Sequence, residues 1–424
     1  MTAEELTANR RAAGPVVRLA IACRITPVAM AAISVGFAVI AAVWLSLGTM
    51  RADGVALVAA VAVFVACRAG RVVAGLAPGQ PATRRGTAPV VEWGLITCGV
   101  LAEIVFYAGI AGAVSLHPGL SSPAGPAGDA LSSTFVARLG GAGATGVWLL
   151  AIAAAIIALV LPVVGAGLHA PGDATRRRSF GVPGDVRLPL AAGTVLLAGA
   201  RAAFAVLLVL GVAALVASIV DGAAAGRRRG AIREYRGDGW LAFRIGGFVG
   251  GRLPPMPPLF VGLLVTGVLV ALGLKNLPGA LVLTPVEAML LAALGSWHPH
   301  DGRSDWLVPP LLQVAEYVFL AEVGFAGGVW PPLTFALVAA AGFRHLDLAY
   351  WAHGSLASRG RGGAPPGSYD RRGFGWEGRM IIAGIAAAAG IQVVVYPLLA
   401  LYLWWVNARD WATVWSGGHA ALDG

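Results

Sequence analysis

Runs of about 20 apolar residues, the length a helix needs to cross the hydrocarbon core of a bilayer, recur along this chain with scarcely a charge inside them. "PVAMAAISVGFAVIAAVW" and "GVWLLAIAAAIIALVLPVVGAG" are two of them. In lipid no water satisfies backbone N–H and C=O groups, and a helix closes those bonds within itself. The 424 residues are 58% hydrophobic and 12% charged, with a mean hydropathy of +0.77, far outside the range of soluble domains. The expected fold class is therefore all-α: a polytopic integral membrane protein of about 11 transmembrane helices in two bundles, with no soluble domain.

Charge reports topology here rather than a nucleic-acid partner. The net charge is +10, but no aromatic-basic stacking pattern accompanies the arginines. They cluster instead between spans: Arg10 and Arg11 before the first, Arg68, Arg71, Arg84 and Arg85 after the second, Arg176–Arg178 after the fourth, Arg227–Arg229 after the sixth. The positive-inside rule then puts the N-terminus and every arginine-rich loop in the cytoplasm of a bacterial inner membrane. Cys23, Cys67 and Cys98 have no metal-ligand spacing and read as small packing residues. The opening "MTAEELTANRRAAGPVVRLAIACRITP" carries acids and lacks the order of a cleaved signal peptide.

Six spans are expected over about 28–49, 54–67, 89–116, 144–168, 188–200 and 202–220, forming a domain over 14–220. Residues 221–256 are polar, basic and rich in Gly and Pro, which marks a cytoplasmic linker. Its helical part reads equally as a connector or as a segment lying on the anionic inner leaflet with Trp240 and Phe243 dipping in. A second domain, 257–415, holds spans at about 257–273, 278–295, 307–326, 330–349 and 380–405. Eleven crossings put the C-terminus outside, a parity that changes if 380–405 is two half-spans.

The stretches "RITPVAMAAISVGFAVIAAVW", "VLAEIVFYAGIAGAV" and "RLPLAAGTVLLAGARAAFAVLLVLGVAALVASIVDG" resemble the first, third and last spans of the CDP-alcohol phosphotransferase family. Those six-span enzymes move a phospho-alcohol unit from a CDP-linked donor to an acceptor alcohol. The resemblance covers roughly residues 14–245. The family's motif, D-x-x-D-G-x-x-A-R followed by G, D and D, supplies four acids that hold two divalent metals and activate the acceptor hydroxyl. This chain has "CRAGRVVAGLAPGQPATRRGTAPVVEWGLITCGVLAE" there, and no aspartate occurs between Asp53 and Asp129. Alignment lays the motif acids on Ala66 or Cys67, Ala69 or Gly70, Leu95 and Gly99, with only Glu92 and Glu103 nearby. The resemblance thus implies a degenerate relative, because a metal site does not survive the loss of its hard oxygen ligands. Arg68 and Arg71 read as positive-inside anchors or as a grip for a lipid phosphate.

Residues 236–415, from "YRGDGWLAF" onward, resemble DUF5941, an actinobacterial membrane domain of unknown function usually found behind CDP-alcohol phosphotransferase and nucleotidyltransferase domains. That resemblance brings no chemistry with it. The unusual polar residues nevertheless concentrate there: His298, His300, Asp301, Arg303 and Asp305 in one loop, Glu316 and Glu322 in the next span, then Arg344, His345 and Asp347, then Asp370, Glu377 and Arg379. Asp301 and Asp305 with His298 or His300 are ligands a divalent metal accepts, and Arg344 with Arg379 suits a phosphate. Asp301, Asp305, His345, Asp347 and Glu316 are the catalytic candidates, and Mg²⁺ or Mn²⁺ is expected in the second half if anywhere. Glu316 and Glu322 stand about 240° apart round a helix, so only one is expected to pair inside the bundle.

Two readings follow. One is a non-catalytic accessory of phospholipid or lipid-linked glycan assembly, a pseudoenzyme in contact with membrane lipids and with an active paralogue or a second copy of itself. The other is a membrane transferase or cyclase acting on a lipid or prenyl diphosphate through a metal site in the second half.

Overall fold

In the computed structural model the chain is described over residues 14–76, 88–117, 143–168, 184–225, 237, 239–250, 252–275, 278–298, 304–357 and 372–420, and among these there is no strand. The helices are α1 Pro15–Ala22, α2 Pro27–Leu45, α3 Met50–Leu76, α4 Ala88–Leu116, α5 Gly143–Leu168 and α6 Gly184–Ala225, then α7 Trp240–Val249, α8 Met256–Lys275, α9 Pro278–Gly295, α10 Val308–Ala326, α11 Pro331–Ala357, α12 Gly375–Ala388 and α13 Gln392–Ala420. Among the described residues six stretches are long and apolar enough to cross a membrane: Pro27–Leu45, Met50–Ala74, Trp93–Leu116, Gly143–Gly165, Val186–Val220 and Asp305–Ala326. Met256–Leu272 and Gly279–Gly295 are apolar but shorter.

The chain forms two compact units, one of Met1–Ala158 with Gly181–Ala213 and one of Leu159–Phe180 with Ala214–Gly424. In the first, α2 packs along α3 and α4. Its start is set locally: Thr26 Oγ1 accepts the Ala29 N–H at 3.1 Å and Pro27 occupies the first turn, where a missing N–H costs nothing. Small residues let the backbones close up, and a Cβ on Gly109 would stand 2.5 Å from Ala42 Cα. The expected break between 200 and 202 appears as a kink at Gly199, whose φ of 84° and ψ of 173° suit glycine alone.

In the second unit α9 packs against α7, α8 and α12, while α11 packs against α10 and α13. Gly328, at φ 68°, ends α10 with Val329 N–H on Gly324 O at 2.9 Å and Gly328 N–H on Phe325 O at 3.2 Å, a Schellman arrangement ahead of two prolines. The same device corrects one expectation. Residues 380–405 are not one span, because Gly390 at φ 70° turns the chain after α12, with Ile391 N–H on Ala386 O at 2.9 Å. Side chains of α13 then bond upward along α11: Trp404 Nε1 to Ala336 O (3.2 Å), Asn407 Nδ2 to Ala340 O (3.0 Å) and Asp410 to Arg344 (2.6 Å). Partner numbers rise together, so α11 and α13 run parallel. Arg372, just before α12, also reaches Asp410 at 3.5 Å, so α12 starts towards the C-terminal end of α13 and runs back.

Candidate functional site

The densest buried charge in the second unit sits where α10, α11 and α12 meet. Glu316 lies midway along α10 and Arg379 in the second turn of α12; both are fully buried, and His345 of α11 is 3% exposed. Arg379 donates from Nε to Glu316 Oε1 at 2.5 Å and from Nη2 to Oε2 at 3.0 Å, a fork matched to a carboxylate. Its Nη1 donates to Gly373 O at 2.8 Å. His345 Nε2 lies 2.6 Å from Glu316 Oε2 and 2.9 Å from Arg379 Nη2. With its proton on Nε2 the imidazole donates to Glu316, beside the fork from Arg379. The carboxylate is thus paired and hydrogen-bonded by both the guanidinium and the ring, as a charge taken out of water must be. Tyr317 closes the cluster edge-on, its ring centroid 5.9 Å from that of His345.

Helical spacing explains how α11 serves two neighbours. Arg344 and Asp347, three apart, share a face and meet adjacent residues of α13: Arg344 Nη1 bonds Asp410 Oδ2 at 2.6 Å, and Trp411 Nε1 donates to Asp347 Oδ2 at 2.8 Å. His345, about 100° round, turns to Glu316 instead. Two residues before Arg379, buried Glu377 accepts the Leu241 N–H at 2.7 Å and so caps the start of α7, where a negative charge also opposes the helix dipole. Gly239, at φ 84°, leaves room for that carboxylate.

The expected groupings are thus redistributed. Glu316, His345 and Arg379 come together, whereas Arg344 and Arg379 do not form a free phosphate clamp: each guanidinium is held by a different carboxylate. Glu316 is buried and Glu322 exposed, as their angular separation requires. Asp305, 6% exposed, opens a short 3₁₀ turn ahead of α10, and His298 follows the end of α9. His300, Asp301, Arg303, Asp370, Arg84 and Arg85 lie outside the described residues, as does the side chain of Glu92. Among the described residues no group of three or more His, Cys, Asp or Glu is placed to hold a metal. Trp411 serves as the donor to Asp347.

In the first unit the positions that the resemblance lays on metal-binding acids are apolar, and those on α3 are close-packed, whereas a Cβ on Gly99 would meet nothing within 4 Å. Ala66 and Ala69 belong to a buried cluster with Val17, Ala20 and Met30, and a Cβ on Gly70 would stand 3.2 Å from Leu95 Cδ2. Divalent metals need oxygen ligands, and these positions offer none. Arg68 is exposed, its guanidinium over the Phe64 ring at 5.8 Å, and exposed Arg71 bonds Cys67 O at 3.5 Å. Glu103 pairs with Arg187 at 3.0 Å and accepts from Tyr107 Oη at 3.0 Å, all three buried. Arg187 and Asp410 escape a reading of the sequence because their partners lie 84 and 66 residues away. Glu287 was legible as an acid inside a span; its Oε2 accepts from Thr266 Oγ1 at 3.1 Å.

No curated protein and no solved structure matches the chain. Residues 226–406, which carry the whole Glu316–His345–Arg379 cluster, match DUF5941, a family of unknown function.

Proposed function

We propose that this chain is a multi-pass bacterial inner-membrane protein that assists phospholipid or lipid-linked glycan assembly without catalysing it. Its first unit is a CDP-alcohol phosphotransferase-like bundle that has lost its metal chemistry and works beside an active paralogue. The packing of Ala66, Ala69, Gly70 and Leu95 supports this reading, since apolar contact stands at three of the four positions where carboxylates would be needed and the fourth, Gly99, carries no ligand atom. The charged clusters of the second unit are internally paired, which suits a scaffold held in one conformation. The test is release of CMP from CDP-linked lipid donors by the purified protein in lipid with Mg²⁺. No release above a protein-free control is expected; Mg²⁺-dependent release that survives changes in the second unit refutes the reading.

A second reading is favoured by one observation: Asp305, Glu316, Arg344, His345, Asp347, Glu377 and Arg379 are all buried in one unit, and intramembrane ionisable groups are costly enough to mark function. Here a lipid or prenyl diphosphate meets Mg²⁺ or Mn²⁺ at Asp301 and Asp305 with His298 or His300. Titration calorimetry of each metal against the full chain and against Asp301→Asn/Asp305→Asn separates the two. Micromolar binding lost in the variant selects the enzyme, and no binding by either protein removes it.

A further inference from the structure

Helix α7 presents an exposed aromatic and basic face to its surroundings. Its inner side is fixed to the bundle. Ala242 and Gly246 are buried, Ser296 Oγ donates to Ala242 O at 3.3 Å, Trp297 Nε1 donates to Phe243 O at 2.8 Å, and Glu377 caps the N-terminus. A Cβ on Gly246 would stand 2.7 Å from Ala293 O, so the helix lies hard against α9. Trp240, Arg244 and Phe248 follow at intervals of four along the helix and so share one side. Phe248 is 93% exposed, and the Arg244 guanidinium lies 5.1 Å over the Trp240 ring. Val249 at the end of the helix and Arg252 and Leu253 beyond it are exposed, and half-exposed Trp297 stacks on Phe243 with centroids 5.1 Å apart. The apolar surface continues along α8 through exposed Phe260, Leu264 and Val268. No acid occurs between Asp238 and Glu287.

We propose that α7 is an interfacial helix docked on the headgroup layer of an anionic leaflet, with Phe248, Val249, Leu253 and Trp297 in the acyl boundary and Arg244 and Arg252 on lipid phosphates. Aromatic side chains beside arginines, without acids, match that boundary in both polarity and charge. The rigid inner side matters as much. Because α7 is already fixed in place, docking orders no new backbone, and the outer stripe meets the headgroups preorganised. Continuity with the apolar face of α8 sets the depth, since α8 begins at Met256, only a few residues beyond Arg252.

The test places a nitroxide at Phe248→Cys, with Cys23→Ser, in the full chain in nanodiscs of equal phosphatidylglycerol and phosphatidylcholine. Collision with a water-soluble nickel chelate is compared with collision with oxygen. Shielding from nickel is expected. Arg244→Gln or Arg252→Gln should each raise nickel access about fivefold and both together about 25-fold, given the attraction of each basic side chain to an anionic surface. Both arginines are exposed, so these variants fold as the parent does. Free nickel access in the parent overturns the docking. Shielding unchanged by the double variant and by pure phosphatidylcholine overturns the anionic occupant and leaves α7 as an apolar contact.

Discussion

Replacing Arg379 by Met keeps length and apolar stem but removes the fork that holds Glu316. Three donors disappear: two on Glu316, at 2.5 and 3.0 Å, and one on Gly373 O at 2.8 Å. Glu316 is then left fully buried with only His345 to donate to it. Stranding one partner of a buried ion pair costs about 3–5 kcal/mol, mostly the penalty of an uncompensated charge. For a unit of this size each kcal/mol moves the midpoint by about 2–4 °C, so a fall of roughly 6–20 °C is expected. The assay is the fraction of detergent-purified full-length chain that stays monodisperse after heating, an apparent midpoint because such unfolding is irreversible. The decisive companion is Glu316→Gln/Arg379→Met, which removes the charge as well as its partner and should recover at least half the loss. A single variant within about 3 °C of the parent, under 1.5 kcal/mol, refutes the ion-pair account. So does a double variant less stable than the single.

Two further substitutions probe the backbone of the first unit, and each is read by the same heating assay. Gly199→Ala forces a Cβ into a conformation only glycine holds comfortably, and a loss of about 1–3 kcal/mol is expected; no loss means that the kink relaxes freely. Gly109→Leu drives a side chain into the Ala42 backbone, which cannot yield as a flexible side chain would. It should cost at least as much as ordinary overpacking, about 1–3 kcal/mol, and an unchanged midpoint refutes the close α2–α4 contact.

The sequence made most of the helices legible because hydrophobic length is a local property. The run 307–326 became α10 almost to the residue, and the break near 201 surfaced as the Gly199 kink. The division of 380–405 was hidden because Gly390 sits among apolar residues, where composition does not distinguish a bend from a crossing. The buried cluster was half visible. Glu316, His345 and Arg379 all stood out as ionisable groups in or beside spans, but their separations of 29 and 34 residues carry no information about which helices face each other. Arginine was read as a grip for phosphate because its chemistry fits that role. A carboxylate elsewhere in the fold had the prior claim.

The turn at Gly390 reaches further than the helix boundary it moves. Because α13 climbs alongside α11 in the same direction, with Asp410 and Trp411 beside Arg344 and Asp347, the C-terminal parts of the two helices lie together. The stretch expected as one helix is thereby an out-and-back pair, α12 and α13, joined at Gly390. Cysteines engineered near the C-terminal ends of α11 and α13 should then crosslink, whereas a pair joining the C-terminal end of one to the N-terminal end of the other should not.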